Sequence, residues 1–276
     1  MTPTIAVSTW SVHRELGITH RQSPADSSGR IEPAFGAGRV TLAGLAAELA
    51  RRGFWRVEIC HFHLASRDPD YLATIRAAYA KAGVAIQTLL IDDGDVTHPV
   101  DRARDGAWIA SWIEAAGRLG AGHARVIAGK GKPTADNLAL SVDALRGLGK
   151  LGSKHGVRVV TENWFELTAG PREVLHILDA AGPDVGFLAD SGNWGGPAKY
   201  DDLKAIYARA ELSHTKAHFG AYLAMDEADY RKCLEAAAAA NYAGPHTLIF
   251  EGEGDEWRGV EIEREFVMGH CAGVGG

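Results

Sequence analysis

The chain has 276 residues, 46% of them hydrophobic, enough for one large domain with a substantial core. Its 29 Lys and Arg against 35 Asp and Glu leave a formal charge of -6 with no block of one sign, which gives no electrostatic footprint for nucleic acid. Three widely spaced cysteines (Cys60, Cys233, Cys271) without a CxxC, no basic-then-apolar leader and no apolar run near the ~18 residues of a membrane span together predict a cytoplasmic protein in a reducing compartment.

Strand-like and helix-like segments alternate along the whole chain, the pattern of an α/β fold. The first strand is expected at Thr4–Trp10. The first helix is "TLAGLAAELARRG", with Leu42, Leu45, Ala46 and Leu49 on one face. "RVEICHF" reads as the second strand, followed by a helix from about Pro69. "AIQTLLI" is the third, and its helix, from about Val100 to Leu119, carries a stripe of Trp108, Ile109, Trp112 and Ile113. "ARVIAG" precedes a helix from about Thr134 to His155, "VRVVTEN" precedes "PREVLHILDAAG", and "VGFLAD" precedes "YDDLKAIYARA". "LSHTKAH" leads to "EADYRKCLEAAAAANYAG", and "HTLIFEG" leads to a last helix from about Val260 to Met268. Gly53, Gly83, Gly120, Gly182 and Gly244 stand where helix ends need a left-handed cap.

Eight such pairs predict a (β/α)8 barrel formed by one domain over residues 1–276. An open doubly wound sheet would put a GxGxxG turn after an early strand, and none is there; "GKGKP" at Gly129–Pro133 lacks the spacing and the Ser/Thr of a phosphate loop. One connection is anomalous. Residues 13–40, between the first strand and the first helix, are rich in Gly, Ser, Pro and Arg, and their length predicts a lid over the strand-1 end.

Glu162, Asp190, His214 and Glu251 each follow a strand-like run, at spacings of 28, 24 and 37 residues, close to one strand-plus-helix unit of ~30. An isolated residue of this kind is ordinarily a surface acid or a satisfied core histidine. Four on consecutive strands 5 to 8 converge on one barrel mouth, where buried carboxylates need pairing or a metal. Three carboxylates and an imidazole suit a six-coordinate Mn2+, Mg2+ or Co2+ better than a closed thiolate zinc site.

The runs "TEN", "DSGN" and "HTK" with the strand-8 Glu resemble the sugar phosphate isomerase/epimerase family, which includes tagatose/psicose 3-epimerases, hydroxypyruvate isomerase, inosose dehydratase and, more remotely, endonuclease IV. The resemblance implies a xylose-isomerase-like TIM barrel with one divalent ion on Glu162, Asp190, His214 and Glu251. Mn2+ is favoured, with Co2+, Mg2+ or Zn2+ as alternatives. It also implies Glu162 and Glu251 as the acid/base pair. The chain departs from the family at Asn193, where many members have His, and at Lys216 and His218, where ketose epimerases hold substrate with Arg. Ile91, Asp92 and Asn193 break the extra metal set of endonuclease IV.

Further substrate-binding candidates are Glu58, with His61 and His63 close behind it, and Trp10, Trp164 and Trp194 just past strands 1, 5 and 6. Asn193, Lys216 and His218 complete the set, and Lys130 is a weaker case. The acids of "DDGD" (92–95) read as solvated. The expected activity is isomerisation or epimerisation of a small sugar, sugar phosphate or keto-acid through an enediolate, with metal-dependent dehydration of a keto-sugar or cyclitol as the alternative. A non-catalytic sugar-binding barrel or a nuclease ranks below both. The expected partner is a carbohydrate, with no nucleic acid or membrane, and homo-oligomerisation is left open.

Overall fold

All eight strand-like runs become parallel strands: β1 (Ile5–Ser8), β2 (Arg56–Cys60), β3 (Ala85–Leu90), β4 (His123–Arg125), β5 (Arg158–Glu162), β6 (Val185–Asp190), β7 (Leu212–Lys216) and β8 (His246–Ile249). They pair in chain order, and β1 closes the ring against β8. This computed structural model describes residues 2–273; Met1 and residues 274–276, the ends of the expected domain, lie outside the described residues. No helix among the described residues is long and apolar enough to cross a membrane.

The helices α1 (Leu42–Arg51), α2 (Pro69–Ala82), α3 (Arg102–Leu119), α4 (Ala135–Lys154), α5 (Pro171–Ala181), α6 (Lys199–Tyr207), α7 (Glu227–Ala239) and α8 (Glu256–Gly273) alternate with the strands. Thr41, Asp68, Thr134 and Asp226 start four of them, each side chain accepting a first-turn N–H. Gly83 and Gly120 end α2 and α3 in the left-handed region, as expected. Gly244 does not cap α7: that helix stops at Ala239, and Asn241 takes the positive φ, +58°. α8 begins earlier than its periodicity suggests. The Glu256 carboxylate anchors its start by accepting the backbone N–H groups of Arg14 (2.8 Å) and Glu15 (2.9 Å).

The core lies mainly between strands and helices, where Leu89, Ile113, Trp112 and Phe187 are fully buried. A separate small layer, Val160, Leu188 and Leu212, fills the barrel interior. Those three point inward from β5, β6 and β7. The residues two further along each strand, Glu162, Asp190 and His214, therefore point inward one layer higher, at the carboxyl end.

Residues 13–40 form a docked excursion rather than a free flap. A helical turn (His13–Leu16) leads into a two-stranded ribbon of Thr19–His20 against Ile31–Glu32. Gln22 Nε2 donates to Ala65 O (3.1 Å), His61 Nε2 meets Gln22 O (2.9 Å), and Trp108 Nε1 donates to Ser27 Oγ (2.9 Å). The two ends of the excursion cross at Gly17 and Gly38. A Cβ on Gly38 would lie 2.2 Å from Leu16 O, and its φ of +71° disfavours any side chain. Gly38→Ala should therefore release this segment without unfolding the barrel. Limited proteolysis should cut within residues 13–40 in the variant and spare the parent, with melting temperatures within about 4 °C of each other. Equal cleavage of the two proteins would show that the crossing does not hold the excursion.

Candidate metal centre and active site

β5, β6 and β7 are neighbours in the ring, and Asp190 is directly registered with His214. Their inward side chains meet: Glu162, Asp190 and His214 each offer a ligand atom within 4.8 Å of the others. His214 Nδ1 lies 3.3 Å from Glu162 Oε1 and 3.4 Å from Asp190 Oδ2. Its other nitrogen, Nε2, is 2.8 Å from Glu58 Oε2. Glu58 is wholly buried and is held in turn by Thr88 Oγ1 (2.8 Å) and Gln87 Nε2 (3.0 Å), both donating to Oε1. A carboxylate on the far nitrogen fixes the ring orientation and leaves Nδ1 facing Glu162 and Asp190. Asp190 is set by its own turn, Oδ1 accepting from Gly192 N (2.7 Å) and Asn193 N (3.0 Å). Asn163 braces the same strand end, exchanging two bonds with the Asp190 backbone.

Burial alone would make His214 a weaker base. The carboxylates of Glu58 and Glu162 and the contact with Asp190 outweigh that and raise its pKa well above the ordinary value. Burial would likewise raise the Glu58 pKa, but His214 and the two donors hold it below the usual range.

A cation sits on the other side of Glu162. Arg125, at the end of β4, is 3% exposed and bonds Asp92 through Nη2. Its Nε is 3.1 Å from Glu162 Oε2 but off the hydrogen-bonding direction, so both atoms are buried without a hydrogen-bond partner. Burial would raise the Asp92 pKa, yet the Arg125 guanidinium keeps it well below the usual carboxylate range.

Glu162, Asp190 and His214 line a cavity of about 260 Å3 with Trp10, Phe62, Asp92, Arg125, Trp164, Asn193, Lys216 and Glu251. Glu251 stands apart from the buried trio. It is exposed at the rim, with Oε2 2.6 Å from Lys216 Nζ and Oε1 accepting from Trp10 Nε1 at 2.9 Å. Asn193 Nδ2 donates to Glu162 Oε1 (3.1 Å) at the cavity wall.

Of the expected substrate-binding residues, Trp10, Trp164, Asn193 and Lys216 line the cavity. Four others do not. Glu58 lies beneath it, committed to His214. His61 is buried against Gln22 O and the Asp92 N–H, tying the excursion to the β3 end. Trp194 turns away to donate to Thr168 O (3.0 Å), and His218 is exposed beyond β7. Asp92 is no solvated loop acid, since Arg125 claims it. Sequence reasoning passed over Arg125, although a lone Arg in the apolar run "ARVIAG" signals a buried charge that must find a partner.

Phe165, next to Trp164, has φ +65° and ψ 177°, a region natural to glycine that costs other residues about 1–3 kcal/mol. Its ring stacks on Trp164 with centroids 4.4 Å apart, yet the residue stays 38% exposed.

The family model for xylose isomerase-like TIM barrels matches residues 46–267. Among curated proteins no sequence matches this chain. Among solved structures, a D-allulose 3-epimerase from Methylomonas sp. superposes with a TM-score of 0.68 at 17% identity, covering 98% of this chain and 99% of that one. A xylose isomerase-like TIM barrel protein from Mycobacterium smegmatis in complex with magnesium gives 0.65 at 16% identity, with 98% of each chain covered. The 3-keto-D-glucoside 4-epimerase of E. coli gives 0.63 at 16% identity over 82% of this chain and 94% of that one. At such identities the likeness is one of fold.

Because Arg125 compensates two carboxylates, Arg125→Ala should destabilise the metal-free protein by about 3 kcal/mol or more. Adding Asp92→Asn should restore part of that loss. Denaturant unfolding in EDTA checks both, and a change below about 1 kcal/mol in the single variant would show that water already screens this pair.

Proposed function

The chain belongs to the xylose isomerase-like TIM barrel family, and from that premise we propose that it is a divalent-metal-dependent isomerase or epimerase of a small, uncharged sugar. The observation that carries this reading is the buried trio of Glu162, Asp190 and His214 on consecutive strand ends, opening into a cavity that also holds Glu251 and Lys216. The trio fits a hard or borderline divalent ion. It presents two carboxylates and one imidazole nitrogen, and Glu162 Oε1, Asp190 Oδ2 and His214 Nδ1 are the atoms turned toward one another. Glu162, Asp190 and His214 Nδ1 would hold the ion, Mn2+ before Co2+, Mg2+ or Zn2+, with Glu251 the nearby fourth carboxylate of the expected set.

A bound divalent ion supplies the positive charge that acidifies a C–H beside a carbonyl. Glu251 is the candidate base for that proton: it is open to the cavity, and Lys216 and Trp10 fix its two oxygens. Glu162 stands three strands round the ring, on β5 against β8, and is the candidate for returning a proton to the other face. Return to the neighbouring carbon gives isomerisation instead. Lys216 and Asn193 offer donors to substrate oxygens, and Trp10, Phe62 and Trp164 supply apolar walls for the C–H faces of a sugar and help exclude water.

Charge supports an uncharged substrate. The lining holds four carboxylates (Asp92, Glu162, Asp190, Glu251) against two permanent cations. Both cations are charge-paired, Arg125 with Asp92 and Lys216 with Glu251, so neither brings an uncompensated positive charge to a phosphate. A divalent ion would balance the excess. Cys60, Cys233 and Cys271 are free thiols, which suits work in the cytoplasm.

Purified protein should carry about one divalent ion per chain, with turnover of ketoses abolished by EDTA and restored by Mn2+. Asp190→Asn should lose the ion. Glu251→Gln should keep it while kcat falls about 10²–10⁴-fold. Full activity of metal-free protein would end the metal reading. In D2O the product should gain deuterium beside the carbonyl, and a product that has lost water would move the chain to the lyases.

A further inference from the structure

We propose that Arg14, at the root of the excursion after β1, is a positioning residue for Glu251, fixing the turn that carries this carboxylate at the cavity rim. The inference rests on the reading of Glu251 as the base and adds the group that sets its place.

β8 ends at Ile249 and α8 starts at Glu256, so Glu251 stands on the connection between them, outside both elements. Its neighbours loosen that connection. Gly252 and Gly254 flank Glu253, and Gly254 takes a φ of +96°, so the backbone here has the widest conformational freedom a chain offers. A base must meet its proton within a fraction of an ångström, and such a turn does not hold a side chain to that tolerance unaided.

The segment after β1 supplies what the turn lacks. Ser11 Oγ donates to Leu248 O (2.9 Å) and accepts from Phe250 N (3.0 Å), which carries the support of β8 past its last residue. Trp10 Nε1 donates to Glu251 Oε1 itself (2.9 Å). Arg14 holds the next stretch: its Nη2 donates to Gly252 O (3.2 Å) and Gly254 O (2.9 Å), while its Nε lies 3.5 Å from Glu256 Oε1. One planar guanidinium therefore joins both glycine carbonyls to the buried first residue of α8.

Satisfying buried groups does not account for this arrangement. Glu256 already accepts two backbone N–H bonds, from Arg14 at 2.8 Å and Glu15 at 2.9 Å. Gly254 is exposed, so water could serve its carbonyl. Water would not fix the distance from that carbonyl to Trp10, whereas a side chain four residues further along the same segment does.

The test compares the parent, Arg14→Ala, Arg14→Lys and Glu251→Gln, all metal-loaded, by ketose turnover, ion content and hydrogen exchange at residues 250–255. Arg14→Ala should lower kcat about 10- to 100-fold while KM and ion content stay near the parent's, because the misplaced group is the base alone. Residues 250–255 should exchange faster in that variant. Guanidinium ion, added well below denaturing concentrations, should restore part of kcat to Arg14→Ala and none to Glu251→Gln. Arg14→Lys, a point charge without the fork, should fall between the parent and Arg14→Ala, and it carries the same readouts if Arg14→Ala does not fold. A kcat within about twofold of the parent, unchanged exchange, absent rescue, or a loss of ion together with kcat each overturns the positioning role. Full activity of Glu251→Gln overturns the base reading instead, whatever Arg14 does.

Discussion

A carboxylate removed from water must find positive charge or hydrogen-bond donors, and the mouth of this barrel hides Glu58, Glu162 and Asp190 with Asp92 close beside them. Two nitrogen-bearing side chains answer that demand. His214 touches Glu58, Glu162 and Asp190, and Arg125 touches Asp92 and Glu162. Glu162 is shared by both, so the ends of β2 through β7 are bound into one charged network. Removing any member strands another in a low-dielectric interior, where an unpaired charge costs far more than the pair contributes.

That network divides the site into a fixed half and an adjustable half. The trio of Glu162, Asp190 and His214 is oriented from below: Glu58 holds His214, and Gln87 and Thr88 hold Glu58 from inside the barrel, where Gln87 Nε2 also reaches Thr247 Oγ1 (3.2 Å). Each of these groups is locked by packing as well as by bonds. Glu251 is held from the side, by one ammonium and one indole N–H at the exposed rim. Rigid ligands suit a metal centre, which loses affinity when its geometry loosens. The acid/base role proposed for Glu251 would gain from an open position with few partners.

The hydrophobic packing and the candidate site are also separated in space. The layer of Val160, Leu188 and Leu212 and the core under the helices are apolar and distinct from the charged groups at the mouth. The strained turn at Phe165 and the thirty-odd residues after β1 belong to the mouth. The excursion does not line the cavity, but Phe35 packs edge-on against Trp10 with ring centres 6.0 Å apart, so it supports the wall that holds Glu251.

The eight units of the barrel are legible because hydrophobic period and helix punctuation are local properties of the chain. So is the placement of Glu162, Asp190 and His214: each lies two residues beyond an inward apolar residue on its own strand, and a period of two fixes the face. Which inward residues meet is a property of ring closure. Glu58 and His214 are 156 residues apart and Trp10 and Glu251 are 241 apart, and no local pattern relates them. For the same reason the sequence offered Glu58 and His61 to substrate where packing gave them to His214 and to Gln22, and it set Trp194 beside the cavity although its indole turns to Thr168. Strand period determines the direction in which a side chain leaves the backbone. Only the closed barrel decides what waits at the other end, because that depends on the distance and charge of neighbours brought in from elsewhere in the chain.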